Sequence, residues 1–189
     1  MKMEKKKKIL FVSPLPPPYY GSAMSSKMCL EILKESNEFE VKNIKINLAE
    51  DMENVGKVNK GKIIRILKIK KQIKKTIQEF QPDLIYFMPA TSKVGLYKDF
   101  LLKLATKGYD GKILYHIRSR ISDKDKRNIV KKIIYDKMFK KNKVIVLDEL
   151  LEGDIEEYVP KKNIFILQNA IKNELSPETF KEIINERQK

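Results

Sequence analysis

KILFVSPLPPPYYGSA, residues 8–23, decides the fold. Ile9, Leu10, Phe11 and Val12 are consecutive and apolar, without polar alternation. Such a run reads as a strand over 8–14, buried on both faces. Three successive prolines then force the stretch from Leu15 to Gly21 into a loop. Ser22 or Ser25 begins a helix that runs to about Lys34, with Met24, Met28 or Cys29, and Ile32 or Leu33 turned inward. Strand, loop and helix in that order make the first βα unit of a parallel sheet. The basic head MKMEKKKK ahead of it does not make a signal peptide, because only four apolar residues follow before Ser13.

The same alternation continues outward from this unit. Strands are predicted at 41–46, 84–88 (LIYFM), 112–117 (KILYHI), 144–147 (VIVL) and 164–167 (IFIL). Helices are predicted at about 60–80, 93–107, 128–140 and 149–158. A last helix starts at SPET, with Ser176 as cap and Pro177 at its first position. Residues 47–59 read as irregular and 118–127 as a polar loop. In the helix over 60–80, Ile63, Ile66, Ile69 or Lys70, Ile73, Ile77 and Phe80 recur every three or four residues and mark the inner face. The expected class is α/β: a Rossmann-like parallel sheet with helices on both faces.

Composition bounds the chemistry. A chain of 189 residues with 42% apolar and 34% charged residues builds one cored domain. Forty basic against 25 acidic residues leave a net charge of +15, which excludes an acidic solvating protein and favours anionic partners. One cysteine, Cys29, excludes an internal disulfide, and one histidine, His116, leaves a histidine-built metal site short of ligands. No stretch reaches eighteen apolar residues, so no helix spans a bilayer.

Ligands of open parallel sheets bind beyond the carboxyl ends of the strands. Four segments meet that rule: Leu15 to Ser22, Pro89 to Ser92, His116 to Arg120, and Asp148–Glu149. At the first, Gly21 and its hydroxyl-bearing neighbours stand before a helix whose N–H groups can hold a phosphate or sugar oxygen. The competing reading is a turn glycine that merely permits a backbone angle. The segment is neither GxGxxG nor a Walker A loop. His116 can bond a sugar hydroxyl, and Arg118 and Arg120 can meet phosphate or carboxylate; equally, the histidine is a satisfied group at a sheet edge with two solvated arginines behind it. Tyr19 and Tyr20 stack on a sugar, lie near lipid head groups or pack on their own loop. Cys29 reads as a buried inert thiol. Asp148 and Glu149 read as a charge pair at a helix start. Asp123 and Asp125 spell DxD in a charged loop and stay outside the predicted site.

Between Lys57 and Glu79 there are nine basic side chains and one acidic, a local charge of +8. The outer face of this helix, with Lys62, Arg65, Lys68, Lys71, Lys74 and Lys75, has three readings: a solvated face, a surface for anionic lipid, or a phosphate-binding face for nucleic acid. Nucleic acid ranks below lipid, since the chain has no zinc finger, aromatic RNA platform or arginine-rich arm.

The ordered set of segments resembles glycosyltransferase family 4, of the GT-B fold. KILFVSPLPPPYYGSA resembles its opening strand and proline-containing loop, with Tyr20-Gly21 where a glycine pair is usual. QPDLIYFMPA at 81–90 resembles a segment reading roughly "kpDiih". YHIRSR at 115–120 matches the strand end that carries an active-site histidine. VIVLDELLEGDI at 144–155 has Asp148 where serine is common. FILQNAI at 165–171 resembles "ipNGI", keeping Asn169. The likeness covers about residues 8–173 and implies an N-terminal, acceptor-side domain, with 174–189 a C-terminal helix or inter-domain linker. It implies a retaining transferase in polysaccharide or glycolipid synthesis, with a nucleotide-sugar donor, a glycan or lipid-linked acceptor and a C-terminal GT-B domain in cis or in trans. It implies no catalytic metal or cofactor. His116 would contact the donor sugar near the reacting carbon, and Gly21 and Ser22 would line the cleft, with Tyr20 and Asn169 beside them. Arg118 and Arg120 are added as anion contacts. Such a protein is expected in the cytoplasm, docked on the inner face of the membrane through the basic helix. The isolated chain would be inactive. A non-catalytic, membrane-recruiting partner subunit is the alternative.

Overall fold

A computed structural model describes residues 5–48, 60–91 and 93–168. Among the described residues, six strands and six helices follow one another: β1 (Lys7–Ser13), α1 (Gly21–Glu35), β2 (Phe39–Lys45), α2 (Lys60–Phe80), β3 (Leu84–Phe87), α3 (Lys93–Lys103), β4 (Lys112–His116), α4 (Asp123–Arg127), α5 (Ile129–Phe139), β5 (Lys143–Val146), α6 (Glu149–Ile155) and β6 (Ile164–Ile166). Short 3-10 turns follow α3 and precede β6. The strands form one sheet in the order β2-β1-β3-β4-β5-β6, every neighbouring pair parallel.

Period-two patterning explains the layers. Leu10, Val12, Ile85, Phe87, Tyr115, Val144 and Val146 point to one face and pack under Ile69, Ile73, Leu96, Leu102, Ile134, Met138, Leu151 and Ile155 of α2, α3, α5 and α6. Ile9, Phe11, Tyr86 and Met88 point to the other face, beneath Leu30, Cys29 and Leu33 of α1. Each large side chain so buried contributes about 1.5–3 kcal/mol. The expected Rossmann-like sheet with helices on both faces is the fold observed.

Three local expectations are corrected. At about 100° per residue, Ile63 sits about 120° round α2 from Ile69, and it is 51% exposed; the buried stripe starts at Ile66. On α1 the inner face is Ala23, Ser26 and Leu30, with Cys29 and Leu33, so Met24 and Ile32 point outward. The polar loop at 118–127 contains the one-and-a-half-turn helix α4, started by Ser122, whose side chain accepts from the Asp125 amide at 3.2 Å. Asn128 caps α5 in the same way through the Lys131 amide. The tail from Asn169 onward, including Asn169 itself and the SPET helix, lies outside the described residues.

Candidate functional site

The chain leaves β1 for β2 on one side and returns to β3 on the other. The loops after β1 and β3 therefore diverge, and the crevice between them is where such sheets take ligands. Side chains from loops and helices tie the loops after β1, β2, β3 and β4 together at its rim. Asn47, just past β2, accepts from the Leu15 amide at 2.8 Å through Oδ1 and donates to the Tyr20 hydroxyl at 3.2 Å through Nδ2. Buried Asp99 of α3 accepts from the Ala90 amide at 2.8 Å and pairs with Lys98 at 2.7 Å; Lys98 also donates to the Ile46 carbonyl. Thr91 and Ser119 exchange a hydroxyl bond at 2.7 Å, and the Tyr135 hydroxyl donates to the Thr91 carbonyl at 2.6 Å. Asp154 of α6 accepts from the Ile121 amide, from Arg120 and from Lys126 at 3.1, 3.2 and 2.8 Å. Gly95 completes the packing: a Cβ there would stand 2.7 Å from the Cβ of Ala90, so α3 approaches the β3 loop only with glycine at this position.

Inside the rim lies a polar cluster on the α1 side of the sheet. The Tyr86 ring stacks on Phe11, with centroids 4.6 Å apart and planes 9° apart. Its hydroxyl is hydrogen-bonded to Nδ1 of His116, and Cys29 of α1 places Sγ 3.7 Å from the same hydroxyl. His116 is 2% exposed, and its Nε2 has no hydrogen-bond partner among the described residues. The same holds for Oγ of buried Ser13. The register aligns Val12 with Phe87 and Phe87 with Tyr115. Ser13, Met88 and His116 thus follow in one row at the carboxyl edge, with Oγ of Ser26 3.0 Å from Sδ of Met88.

Burial governs the electrostatics. It lowers the His116 pKa to about 4, and the Arg118 charge adds to that, so the imidazole is neutral at physiological pH. Burial raises the Tyr86 phenol and the Cys29 thiol, so both keep their protons. Burial also lowers the half-buried Arg118 guanidinium, which the Tyr86 and Cys29 side chains oppose.

The sequence-predicted residues separate into groups. His116 and Arg118 join the cluster. Tyr20 takes the N-cap position of α1 in an extended conformation but offers no side-chain cap; its hydroxyl is bonded to Asn47 instead. Gly21 is exposed, has an ordinary backbone angle, and a Cβ there would meet nothing within 4 Å. The turn-glycine reading is therefore not needed. Ser22 accepts from Ser26 through its carbonyl. Arg120 is turned away to Asp154 and its side chain is 68% exposed. Asp148 caps α6 through the Leu151 amide at 2.9 Å, as a helix-start acid should. Asp125 pairs with Lys131. Among the described residues no group of three His, Cys, Asp or Glu could hold a metal ion. Tyr86, Asn47, Asp99 and Asp154 were not singled out by the sequence, although an acid on the inward face of an amphipathic helix is a readable signal for Asp99.

On the opposite side, α2 exposes Lys68, Lys71, Lys74 and Lys75, the last 3.6 Å from Glu79. Lys62 is half-buried, and Arg65 reaches the Leu48 carbonyl at 3.5 Å. Ile63, Ile64 and Leu67 are exposed beside them, as are Val94, Tyr97 and Leu101 of α3. A cavity of about 450 Å³ between α2 and the turn after α3 is lined by Leu67, Lys70, Lys71, Lys74, Leu104, Ala105 and Lys107. No described helix is long and apolar enough to cross a membrane.

No family model matches the sequence, and no curated protein matches it. Among solved structures, the S. aureus MnaA–UDP co-structure aligns with a TM-score of 0.57 at 14% identity, over 85% of this chain and 43% of that one. The chain thus spans less than half the length of that neighbour. At this identity the likeness shows the fold, a GT-B-like Rossmann arrangement.

Proposed function

We propose that this chain is the acceptor-side domain of a retaining glycosyltransferase, which uses a nucleotide-sugar donor and works with a second Rossmann-like domain in cis or in trans. The observation that carries the reading is the crevice at the switch point. Its rim is pre-tied, α1 opens onto it with no side-chain cap from Tyr20, and a buried imidazole nitrogen without a partner among the described residues lies within. Those groups suit phosphate and sugar oxygens. The structural neighbour is a co-structure with UDP, which supports a sugar-nucleotide ligand over other anions. The share of that neighbour which the chain spans supports a half-site completed by another domain.

On this reading His116 contacts the donor sugar, and Tyr20, Gly21 and Ser22 line the cleft. Asn169, outside the described residues, belongs to the same reading. Arg118 supplies positive charge from the β4 loop. Arg120 acts on the rim through Asp154. Titration of UDP and UDP-sugars into the full chain, followed by calorimetry, tests ligand class. Saturable UDP binding without turnover, and turnover once a C-terminal domain is added, are expected. Turnover by the 189-residue chain alone overturns the half-enzyme account, because half the cleft could not pre-position both substrates.

The exposed Ile63, Ile64 and Leu67 beside Lys68, Lys71 and Lys74 favour a membrane role for α2. On this reading the protein works at the cytoplasmic membrane face, near a lipid-linked acceptor. The same surface supports the second reading, a non-catalytic subunit that recruits a separate catalytic half. Co-sedimentation with anionic and neutral vesicles at low salt tests the surface; equal binding to both rejects it.

A further inference from the structure

We propose that Tyr86 is a positioning residue: its phenol donates to Nδ1 of His116, fixes the imidazole in the Nε2–H form, and makes the unpartnered Nε2 a neutral donor for a ligand oxygen. This deepens the reading of the crevice as a sugar-nucleotide site and rests on it for the identity of that oxygen; the tautomer is independent of it.

The proton order follows from three groups in a chain. Cys29 Sγ, Tyr86 Oη and His116 Nδ1 are linked in series. In the forward order the thiol donates to the phenol oxygen and the phenol donates to Nδ1. In the reverse order Nδ1–H donates to the phenol, the phenol donates to sulfur, and the thiol proton is left over. Sulfur is a weak acceptor, and an imidazole nitrogen lone pair accepts more strongly than a phenol oxygen. The forward order uses the better donor and the better acceptor at its stronger link. It leaves the single proton of the neutral ring on Nε2.

The neighbours support a neutral ring. Tyr86 comes from β3, Cys29 from α1 and Arg118 from the loop after β4, and the influences acting on the imidazole are burial and the Arg118 charge. A carboxylate at Nδ1 would favour imidazolium, whereas a phenol does not. The hydroxyl is also held in place, because the Tyr86 ring lies flat on Phe11 of the adjacent strand. A ligand group facing Nε2–H and the nearby guanidinium must be an acceptor, such as a sugar hydroxyl or a phosphate oxygen. A cationic or purely donating group would be rejected.

His116 is the only histidine, so the imidazole nitrogen NMR signals of the full chain report it without assignment ambiguity. The expected spectrum has the proton on Nε2 and Nδ1 shifted as an acceptor, from neutral pH down to about pH 5. Tyr86→Phe keeps the stacked ring and loses the hydroxyl. It should move Nδ1 to the position of an unbonded ring nitrogen and enrich the Nδ1–H form about five-fold, the loss of roughly one neutral hydrogen bond. Cys29→Ala, which leaves the Tyr86–His116 bond intact, should leave both nitrogen signals unchanged; in the reverse order it would release the phenol proton to Nδ1 and change them. A proton on Nδ1 in the native chain, an Nδ1 signal indifferent to Tyr86→Phe, or a tautomer switch in Cys29→Ala overturns the proposal. UDP added to the native chain should move Nε2. A silent Nε2 under saturating UDP would count against the site reading while the tautomer result stood.

Discussion

Protonating His116 should destabilise the fold in a pH range where few other groups titrate. The imidazole falls from its ordinary value of 6.5 to about 4 in the folded chain. A depressed histidine means that the unfolded chain binds the proton first, so stability rises with pH across the interval between the two values. The contribution is fully present above about pH 7 and is lost as pH falls toward 4. Taking 6.5 unfolded and about 4 folded, lowering the pH from 7.5 to 4.5 removes about 2–3 kcal/mol. The perturbation that isolates the term is His116→Asn, whose Oδ1 stands near the place of Nδ1 and can still accept from Tyr86. Urea unfolding of both chains at half-unit steps gives two stability curves. Carboxylates contribute equally to both and cancel in the difference. The native-minus-variant difference should fall by about 2–3 kcal/mol toward acid, because only the native chain carries the imidazole. A constant difference between pH 7.5 and 4.5 would refute the argument, because it would mean that the imidazole is hydrated in the folded chain and titrates near its ordinary value.

Four further outcomes are expected. Asp154→Ala strands the buried Ile121 amide and leaves Lys126 without its carboxylate, which should cost about 2–4 kcal/mol in urea unfolding. Burial raises the Asp154 pKa, but the bonds from Arg120, Lys126 and the Ile121 amide outweigh it and lower the net value. Its stabilisation is therefore present above the ordinary carboxyl value near ~3.9 and disappears below it, and an acid titration of the native chain against Asp154→Asn should show that loss in the native chain alone. Gly95→Ala must push α3 from Ala90, at about 1–3 kcal/mol; an unchanged urea midpoint would show that the helix can slide without penalty. Replacing Lys68, Lys71 and Lys74 by Glu should leave stability within about 0.5 kcal/mol and weaken binding to anionic vesicles roughly 100-fold, at ~1 kcal/mol per lysine; undiminished co-sedimentation would move the contact elsewhere.

The architecture was legible because its signals are local. Unalternating runs such as ILFV and VIVL fix buried parallel strands, the prolines at 16–18 fix a loop after the first strand, and Pro82 fixes the end of the long helix. The helix expected at about 60–80 is α2, Lys60–Phe80. Which of its isoleucines point inward was less legible, since Ile63 obeys the spacing and yet lies off the stripe that meets the sheet. The site was legible only in part. The position at a strand end points to His116, but the chain of groups behind it does not follow from spacing: its partner Tyr86 is 30 residues away, and Cys29, which bonds Tyr86, is 57 residues from that tyrosine. Arg118 and Arg120 looked equivalent because a sequence does not say which way a loop turns. Asp154, 34 residues on, draws the second to the rim.

That division bears on how the crevice can work. Asn47, Asp99, Thr91 and Asp154 direct their bonds to neighbouring loops and leave the rim fixed before any ligand arrives. Fixed loops lower the ordering cost of binding. Within that rim, Nε2 of His116 and Oγ of Ser13 remain buried without partners among the described residues, at the ends of β4 and β1. An unpaired buried polar atom costs roughly 1–3 kcal/mol, and substituting apolar groups would remove that cost. Two such atoms in one row of the sheet, beside the start of α1, are a cost that an oxygen-rich ligand would offset on the proposed reading. Binding to the folded chain alone then raises its stability by mass action, by about 2.7 kcal/mol at a hundredfold excess over Kd. If the two atoms are the ones that ligand meets, a chain carrying His116→Phe and Ser13→Ala should gain little stability when UDP is added, whatever the loss of the Tyr86–His116 bond costs the free chain. A double variant that is stabilised by UDP as fully as the native chain would show that the ligand meets other groups.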